Sequence, residues 1–129
     1  ATGAADLARA LATRGSLGLA ELDLSRNRVG PKGAAALAAL LSGPGAALRL
    51  LWLAVNRIQD AGAVALAEGL GSRQAGAGVD LNLRGNFIGD DGAAALGKAM
   101  QSSPWCLDAL DLDYNKISAA GAAALALGA

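Results

Sequence analysis

The sequence predicts an α/β solenoid, in which short strand–turn–helix units stack into a curved parallel sheet with helices along its outer side. Four asparagines, Asn27, Asn56, Asn86 and Asn115, lie 29, 30 and 29 residues apart. Each follows a run of spaced leucines and precedes a segment rich in glycine and alanine. A period of this length is typical of stacked units that bury their core between neighbours.

The strand of each unit is predicted from leucines at alternate positions. In Leu22-Asp23-Leu24 the two leucines point to the buried face of a strand, and Asp23 points away from it. The same pattern recurs in three further pairs, Leu51 and Leu53, Leu81 and Leu83, and Leu110 and Leu112. Gly78 stands where the other units carry one more core leucine, and Val79 is expected to take that place.

The helix of each unit is predicted from apolar residues spaced three and four apart, as in the segment from Gly33 to Leu41. A glycine opens every such segment, at Gly33, Gly62, Gly92 and Gly121. Because strand and helix recur in register, the strands should line the concave face and the wider helices the convex face.

The phrase L-x-x-L-x-L-x-x-N-x-[VI], followed by G-A-x-A-L, resembles the leucine-rich repeats of the ribonuclease-inhibitor type. Such repeats also occur in NOD-like receptors and in GTPase-activating proteins of the Ran system. The resemblance covers nearly the whole chain and is specific for the fold rather than for a function. It implies a leucine-rich-repeat solenoid, or horseshoe, of about four repeats that begin near residues 19, 48, 78 and 107.

Residues 1–129 are expected to form a single domain. Residues 1–18 match the helical half of a unit, and the last helix, from Gly121, has no unit after it. Neither end shows the polar cap that usually closes a solenoid. We therefore expect a fragment of a longer array, and the alternative is a short chain that covers its ends by self-association.

Composition narrows the classes of partner. Eleven Lys and Arg balance 11 Asp and Glu, so no net charge draws the chain to nucleic acid or to an anionic membrane. No apolar run approaches the roughly 18 residues of a membrane span. The single cysteine, Cys106, cannot form an internal disulfide and is expected to be a buried thiol. We expect a cytoplasmic protein with neither nucleic acid nor membrane as a partner.

The apparent catalytic and cofactor motifs in the sequence lack residues that their chemistry requires. The chain has no histidine, which excludes Ser-His-Asp and Cys-His arrangements. Gly92 to Lys98 spells G-x-x-x-x-G-K, but Gly92 is the repeat glycine and Ala99 replaces the required Ser or Thr. Asp111, Asp113 and Asn115 imitate a calcium loop that then lacks its later ligands. We predict no enzyme activity, no cofactor and no metal site.

The four asparagines are predicted to be structural. An amide both donates and accepts, so amides stacked at successive turns can satisfy backbone groups that neither strand nor helix reaches.

The outward strand positions form the candidate partner-binding face. Trp52 is its sharpest residue, because no core partner is predicted for its indole and tryptophan dominates interface energetics. The interpretation that these positions are merely solvated stays open, as does the interpretation that Phe87 is tucked under its turn. The candidate partner-binding residues are Leu50, Trp52, Arg57, Asp80, Asn82, Arg84, Asp111, Asp113 and Tyr114.

The predicted function is a non-catalytic module that binds a protein on its concave face. The resemblance implies one alternative, the regulatory repeat domain of a NOD-like receptor or of a GTPase-activating protein. A second alternative is a structural scaffold that self-associates through its uncapped ends.

Overall fold

Four strands alternate with four helices in the computed structural model, which describes residues 20–42, 48–73 and 78–128. The strands are β1 (Glu21–Asp23), β2 (Leu50–Trp52), β3 (Val79–Asn82) and β4 (Leu107–Asp111), and the helices are α1 (Gly30–Ala38), α2 (Gln59–Gly71), α3 (Asp90–Ser102) and α4 (Ala119–Gly128). The predicted α/β repeat solenoid is confirmed. The predicted half unit at residues 1–18 lies outside the described residues.

The strands form one parallel sheet in the order β1-β2-β3-β4, so each unit pairs with the next along the chain. Leu22 pairs with Leu51, Leu51 with Leu81, and Leu81 with Leu110. These stacked strand leucines pack with helix leucines such as Leu66 in a single core. Each fully buried leucine contributes on the order of 1.5–3 kcal/mol, so the buried leucines among the predicted positions are a large source of stability.

The first helix is displaced from its predicted bounds. It begins at Gly30 rather than Gly33 and ends at Ala38 rather than Leu41. Pro31 lies in its first turn, where a fixed φ suits a helix start and a missing N–H costs nothing. Leu41, which the spacing had placed in the helix, is fully buried in the turn that follows.

Val79 takes the core place that Gly78 leaves vacant. Its side chain is completely buried, and its Cα pairs with Leu107. The register of β3 against β4 shifts between Val79 and Asp80 to allow this. A Cβ on Gly78 would lie 2.9 Å from the Trp105 carbonyl oxygen, so only glycine permits this close approach of the next unit.

The asparagine amides form a ladder between successive turns. Asn56 Oδ1 accepts the backbone N–H of Asn27 at 2.8 Å and of Val29 at 3.0 Å, and its Nδ2 donates to the Leu24 carbonyl at 2.9 Å. Asn86 and Asn115 make the same three contacts with the unit before them. Asn56 and Asn86 are fully buried, so these bonds satisfy backbone groups that water does not reach.

Two aspartates join neighbouring helices. Asp60, in the first turn of α2, accepts the N–H groups of Gly89 at 2.7 Å and Gly92 at 3.0 Å, at the start of α3. Asp90, in the first turn of α3, accepts in the same way from the hydroxyl and the N–H of Ser118, just before α4. Such contacts satisfy N–H groups that have no partner within the helix. These caps were not predicted from the sequence.

Arg73 fastens the unit that contains it to the unit before. Its side chain is buried, and its guanidinium donates to the carbonyl of Leu41 at 3.0 Å and to that of Leu48. Burial lowers the pKa of Arg73. Cys106 is also completely buried, which raises the pKa of its thiol and confirms the expected buried thiol.

Candidate functional site

The outward side of the sheet presents a grid of side chains, here called the strand face. Parallel pairing places one residue from each strand in the same row, with roughly 4.8 Å between strands. The first row is Glu21, Leu50, Asp80 and Ala109, and the second is Asp23, Trp52, Asn82 and Asp111. A third row, Ser25, Ala54, Arg84 and Asp113, follows the strand ends by sequence position.

Three members of the second row have a local structural role. Asp23, Asn82 and Asp111 each accept, with a side-chain oxygen, the backbone N–H of the residue two positions later, at 3.0 Å in every case. The bond from the Ser25 backbone lowers the pKa of Asp23. A short acceptor side chain two residues before the bonded N–H is the sequence signal for such a bond, but the bond was not predicted.

Trp52 is the exception in this row. Its indole carries a donor but no acceptor, so it cannot repeat the bond that Asp23, Asn82 and Asp111 make. The side chain remains 37% exposed although it is the largest on the sheet. Leu50, two residues earlier on the same strand, is half-buried. The second unit therefore replaces a turn-stabilising residue by a partly exposed aromatic one.

Arg84 is held by acidic and aromatic neighbours from the fourth unit. Its guanidinium lies 3.4 Å from an Asp113 carboxylate oxygen and 3.9 Å from one of Asp111. It also stacks 4.4 Å from the centre of the Tyr114 ring, and Tyr114 is 78% exposed. Exposed ion pairs contribute about 0–1 kcal/mol each, so this cluster adds little to stability. It does arrange charge and an aromatic ring at one end of the face.

Arg57 lies apart from these residues. It follows the buried Asn56 and lines, with Phe87 and Lys116, an open cavity at the edge of the turns. Phe87 is 53% exposed, which excludes the alternative that it is tucked under its turn. The Asn86 side chain occupies the interior of that turn, which leaves the next residue facing solvent. Arg57 and Arg84, grouped in the sequence analysis, thus belong to different surfaces.

The sequence motifs set aside earlier have ordinary places in the fold. Gly92 to Lys98 lies within α3, where Gly92 packs against Ala63 and Asp60 of the preceding helix. Within residues 20–42, 48–73 and 78–128, no three Cys, Asp or Glu side chains are grouped so that they could hold a metal ion. No helix in these segments has the length and apolar character needed to cross a membrane.

Solved structures share this architecture. Forty-six chains match the fold, and one of them is described as "Leiomodin-1 Actin-Binding Site 2 (ABS2)". It superposes with a TM-score of 0.77 and 19% sequence identity, over 95% of this chain and 70% of that chain. At this identity the likeness concerns the fold alone. A comparison with curated proteins found no match.

The family model described as "Leucine Rich repeat" matches four segments, residues 19–38, 48–67, 79–97 and 106–126. Each matched segment spans one strand, its asparagine turn and at least the first part of the following helix. Repeats of this kind stack into extended surfaces for binding. The chain therefore belongs to the leucine-rich repeat family.

Proposed function

We propose that this chain is a non-catalytic protein-binding module whose strand face holds a protein partner, with Trp52 as the central anchor. The observation that carries the proposal is the replacement of a turn-stabilising acceptor by an exposed indole in one unit of four. In this row a side-chain oxygen accepts the backbone N–H two residues later at Asp23, Asn82 and Asp111. Trp52 has no side-chain acceptor and cannot form this bond. Tryptophan is strongly enriched among the residues that dominate binding energy at protein interfaces.

The residues around Trp52 are better suited to contact with a protein partner than to binding a small ligand. Asp23 and Asn82 flank it in the same row, and Leu50 extends the apolar area along its own strand. Arg84, one unit away, and Asp111, Asp113 and Tyr114, two units away, supply charge and a second exposed ring. An apolar centre with a polar border is the usual anatomy of a protein interface.

Asp80 lies beside Leu50 in the first row, half-buried, and completes the acidic border on the third strand. The acidic residues set which partners can approach, because charge complementarity governs specificity and association rate more than affinity. A cytoplasmic partner is consistent with the single buried thiol of this chain. The similar Leiomodin-1 structure is described as an actin-binding site, which makes actin a defined partner to test.

The test is affinity capture from a source-cell lysate with the native chain and a Trp52→Asn variant. This substitution installs the acceptor found at Asn82, so the variant is expected to keep the fold. A Lys98→Gln variant, changed on an exposed position of α3, serves as the matched control. A partner retained by the native chain and the control but lost by Trp52→Asn supports the proposal. Equal capture by all three would overturn the assignment of the strand face.

A direct measurement follows from the presence of only two tryptophans. In a Trp105→Phe variant, Trp52 is the one remaining indole, and its emission reports on the strand face. Addition of the purified partner, or of actin in a separate arm, is expected to shift this emission to the blue as the partner covers the ring. Binding without a change in emission would place the contact elsewhere on the molecule.

A further inference from the structure

We infer that the edge of the asparagine turns carries a second binding site, which takes an acidic segment of a protein. Its residues are Arg57, Phe87 and Lys116, one from each of three successive units, and we call them the turn-edge site. Each directly follows a ladder asparagine. This site goes beyond the strand-face proposal, because it requires neither Trp52 nor Arg84.

The three side chains share one open cavity of about 430 Å³. Gln59, Asp60 and Ala61, from the start of α2, complete its lining. Two strand spacings of roughly 4.8 Å separate the second unit from the fourth. The backbones that carry the two cations, Arg57 and Lys116, are therefore about 10 Å apart, with Phe87 on the unit between them.

The two cations lack an acidic partner in the described part of the chain. Arg84 pairs with Asp111 and Asp113, whereas no ion pair within the described residues involves Arg57 or Lys116. The Lys116 ammonium lies 5.1 Å from the centre of the Phe87 ring instead. Arg84 illustrates the contrast, since two carboxylates already occupy its guanidinium.

Asp60, the one acid in the lining, is already engaged. Its Oδ1 accepts the N–H groups of Gly89 and Gly92 at 2.7 and 3.0 Å, and this ties the carboxylate to the start of α3. The negative charge that would pair with Arg57 and Lys116 must therefore come from a ligand. A nucleic acid carries a charge on every phosphate and would bring several of them against the fixed Asp60 carboxylate, whereas a peptide can place single carboxylates at the two cations and neutral residues beside Asp60.

The spacing of the site defines the ligand further. In the extended polyproline II conformation the chain has three residues per turn and advances roughly 3.1 Å per residue, so carboxylates three residues apart lie on the same side of the chain and span about 9 Å. One apolar residue between them would meet the exposed Phe87 ring. The expected recognition element is therefore an extended segment with Asp or Glu at positions one and four and an apolar side chain at position two or three.

The probe is a blocked peptide, acetyl-Ser-Gly-Glu-Leu-Ser-Glu-Gly-Ser-amide, titrated into the ¹⁵N-labelled full chain and followed by NMR. Its control carries Gln in place of both Glu residues. We expect millimolar affinity and shift changes at the amides of Arg57, Phe87 and Lys116, with none at the Trp52 indole. No saturable shift up to about 5 mM peptide, an affinity near the weakest measurable, would overturn the inference. Equal affinity for the Gln peptide would overturn it as well.

Two variants separate local recognition from net charge. The double variant Arg57→Gln/Lys116→Gln is expected to bind the Glu peptide about five- to twentyfold more weakly, as for two exposed ion pairs. The double variant Lys32→Gln/Lys98→Gln carries the same charge change at exposed positions on two helices and should bind as the native chain does. If both variants lose affinity equally, the peptide senses only net charge and the site is refuted.

The Trp52→Asn variant keeps this test independent of the strand-face proposal. It should bind the Glu peptide with unchanged affinity even where it no longer captures the protein partner. If peptide binding fails while capture still depends on Trp52, only the turn-edge site is refuted.

Discussion

The asparagine ladder and the strand face have the same period but opposite character. Along the ladder, Asn56, Asn86 and Asn115 make the same contacts with the unit before them, and two of these three are fully buried. Along the second row of the strand face the residue types differ, and one position departs from the local bond that the others make. A residue type that recurs in every unit with the same contacts has a structural role. A residue that differs from its counterparts in an otherwise regular repeat is a candidate for partner recognition.

This contrast predicts that stability depends on the ladder and that binding depends on the face. Each region contains an asparagine whose side-chain oxygen accepts at least one backbone N–H, Asn86 in the ladder and Asn82 on the strand face. The two regions can therefore be compared with the same change of side chain, and the expected effects fall in a clear order.

Asn86→Ala is expected to have the largest effect. It leaves the buried N–H groups of Asn56 and Ile58 without their acceptor and the Leu53 carbonyl without a donor, at a cost of about 1–3 kcal/mol. Urea unfolding followed by circular dichroism measures it. Asn82→Ala, the same change on the strand face, removes one half-buried bond and should cost less than about 1 kcal/mol. Equal losses would remove the distinction between the two regions.

Val55→Asn is expected to stabilise the chain by about 1 kcal/mol. Val55 lies between the two regions, just before Asn56, with a φ of 57° and a side chain that is 45% exposed. A β-branched residue in the left-handed region is strained by about 1–2 kcal/mol, whereas asparagine tolerates it. A higher urea midpoint with an unchanged slope confirms the effect. A lower midpoint would show that the contacts of Val55 along the turn outweigh the strain.

Trp52→Asn is expected to change the free energy of unfolding by at most about 1 kcal/mol. The substitution removes partly buried indole surface, which costs stability. The introduced asparagine is expected to form the same backbone bond that Asn82 forms in the next unit, and this bond offsets the loss. Thermal and urea unfolding of the variant beside the native chain measure the difference. A loss as large as that of Asn86→Ala would make Trp52 a structural residue and weaken the binding proposal.

Low pH is expected to weaken the contact between α3 and α4, because that contact depends on the Asp90 carboxylate. The asparagine ladder consists of amides that do not titrate, so it should be affected later. The hydroxyl and backbone N–H of Ser118 hold the pKa of Asp90 below its ordinary value. The stabilising contribution of Asp90 is therefore complete above the pKa of the unfolded chain, about 3.9, and is lost as the pH falls through the lower folded pKa. Unfolding midpoints measured from about pH 5 to pH 2 should fall less steeply for Asp90→Asn. An unchanged slope would show that the contact does not persist in solution.

Much of the fold followed from local pattern. Alternating leucines such as Leu81 and Leu83 specify a strand with one buried face, and the glycine and alanine segments specify a helix with a narrow buried side. The bounds of α1 were wrong because Pro31 sets the helix start and a buried turn accommodates Leu41. Pattern indicates which residues are buried more reliably than it indicates where a helix begins.

The candidate site was only partly accessible to the same reasoning. The outward positions, including Trp52, could be derived by counting from the asparagines. The bonds that make Asp23, Asn82 and Asp111 structural were missed, although each has a signal within two residues. Counting also could not reveal that Phe87 faces solvent beside Lys116, because that depends on which side chain fills the turn.

The sequence by itself determined the repeat, the order of strand and helix, the leucine core and the positions of the ladder, because each depends on residues close together in the chain and repeated at one period. Only the tertiary structure decided how Asp60 reaches Gly89, 29 residues away, how Arg73 joins Leu41 and Leu48, and why Arg57 and Arg84 face different surfaces. The physical reason is stacking. The sheet spacing brings residues one period apart within hydrogen-bond reach, and no local pattern specifies which of them will meet.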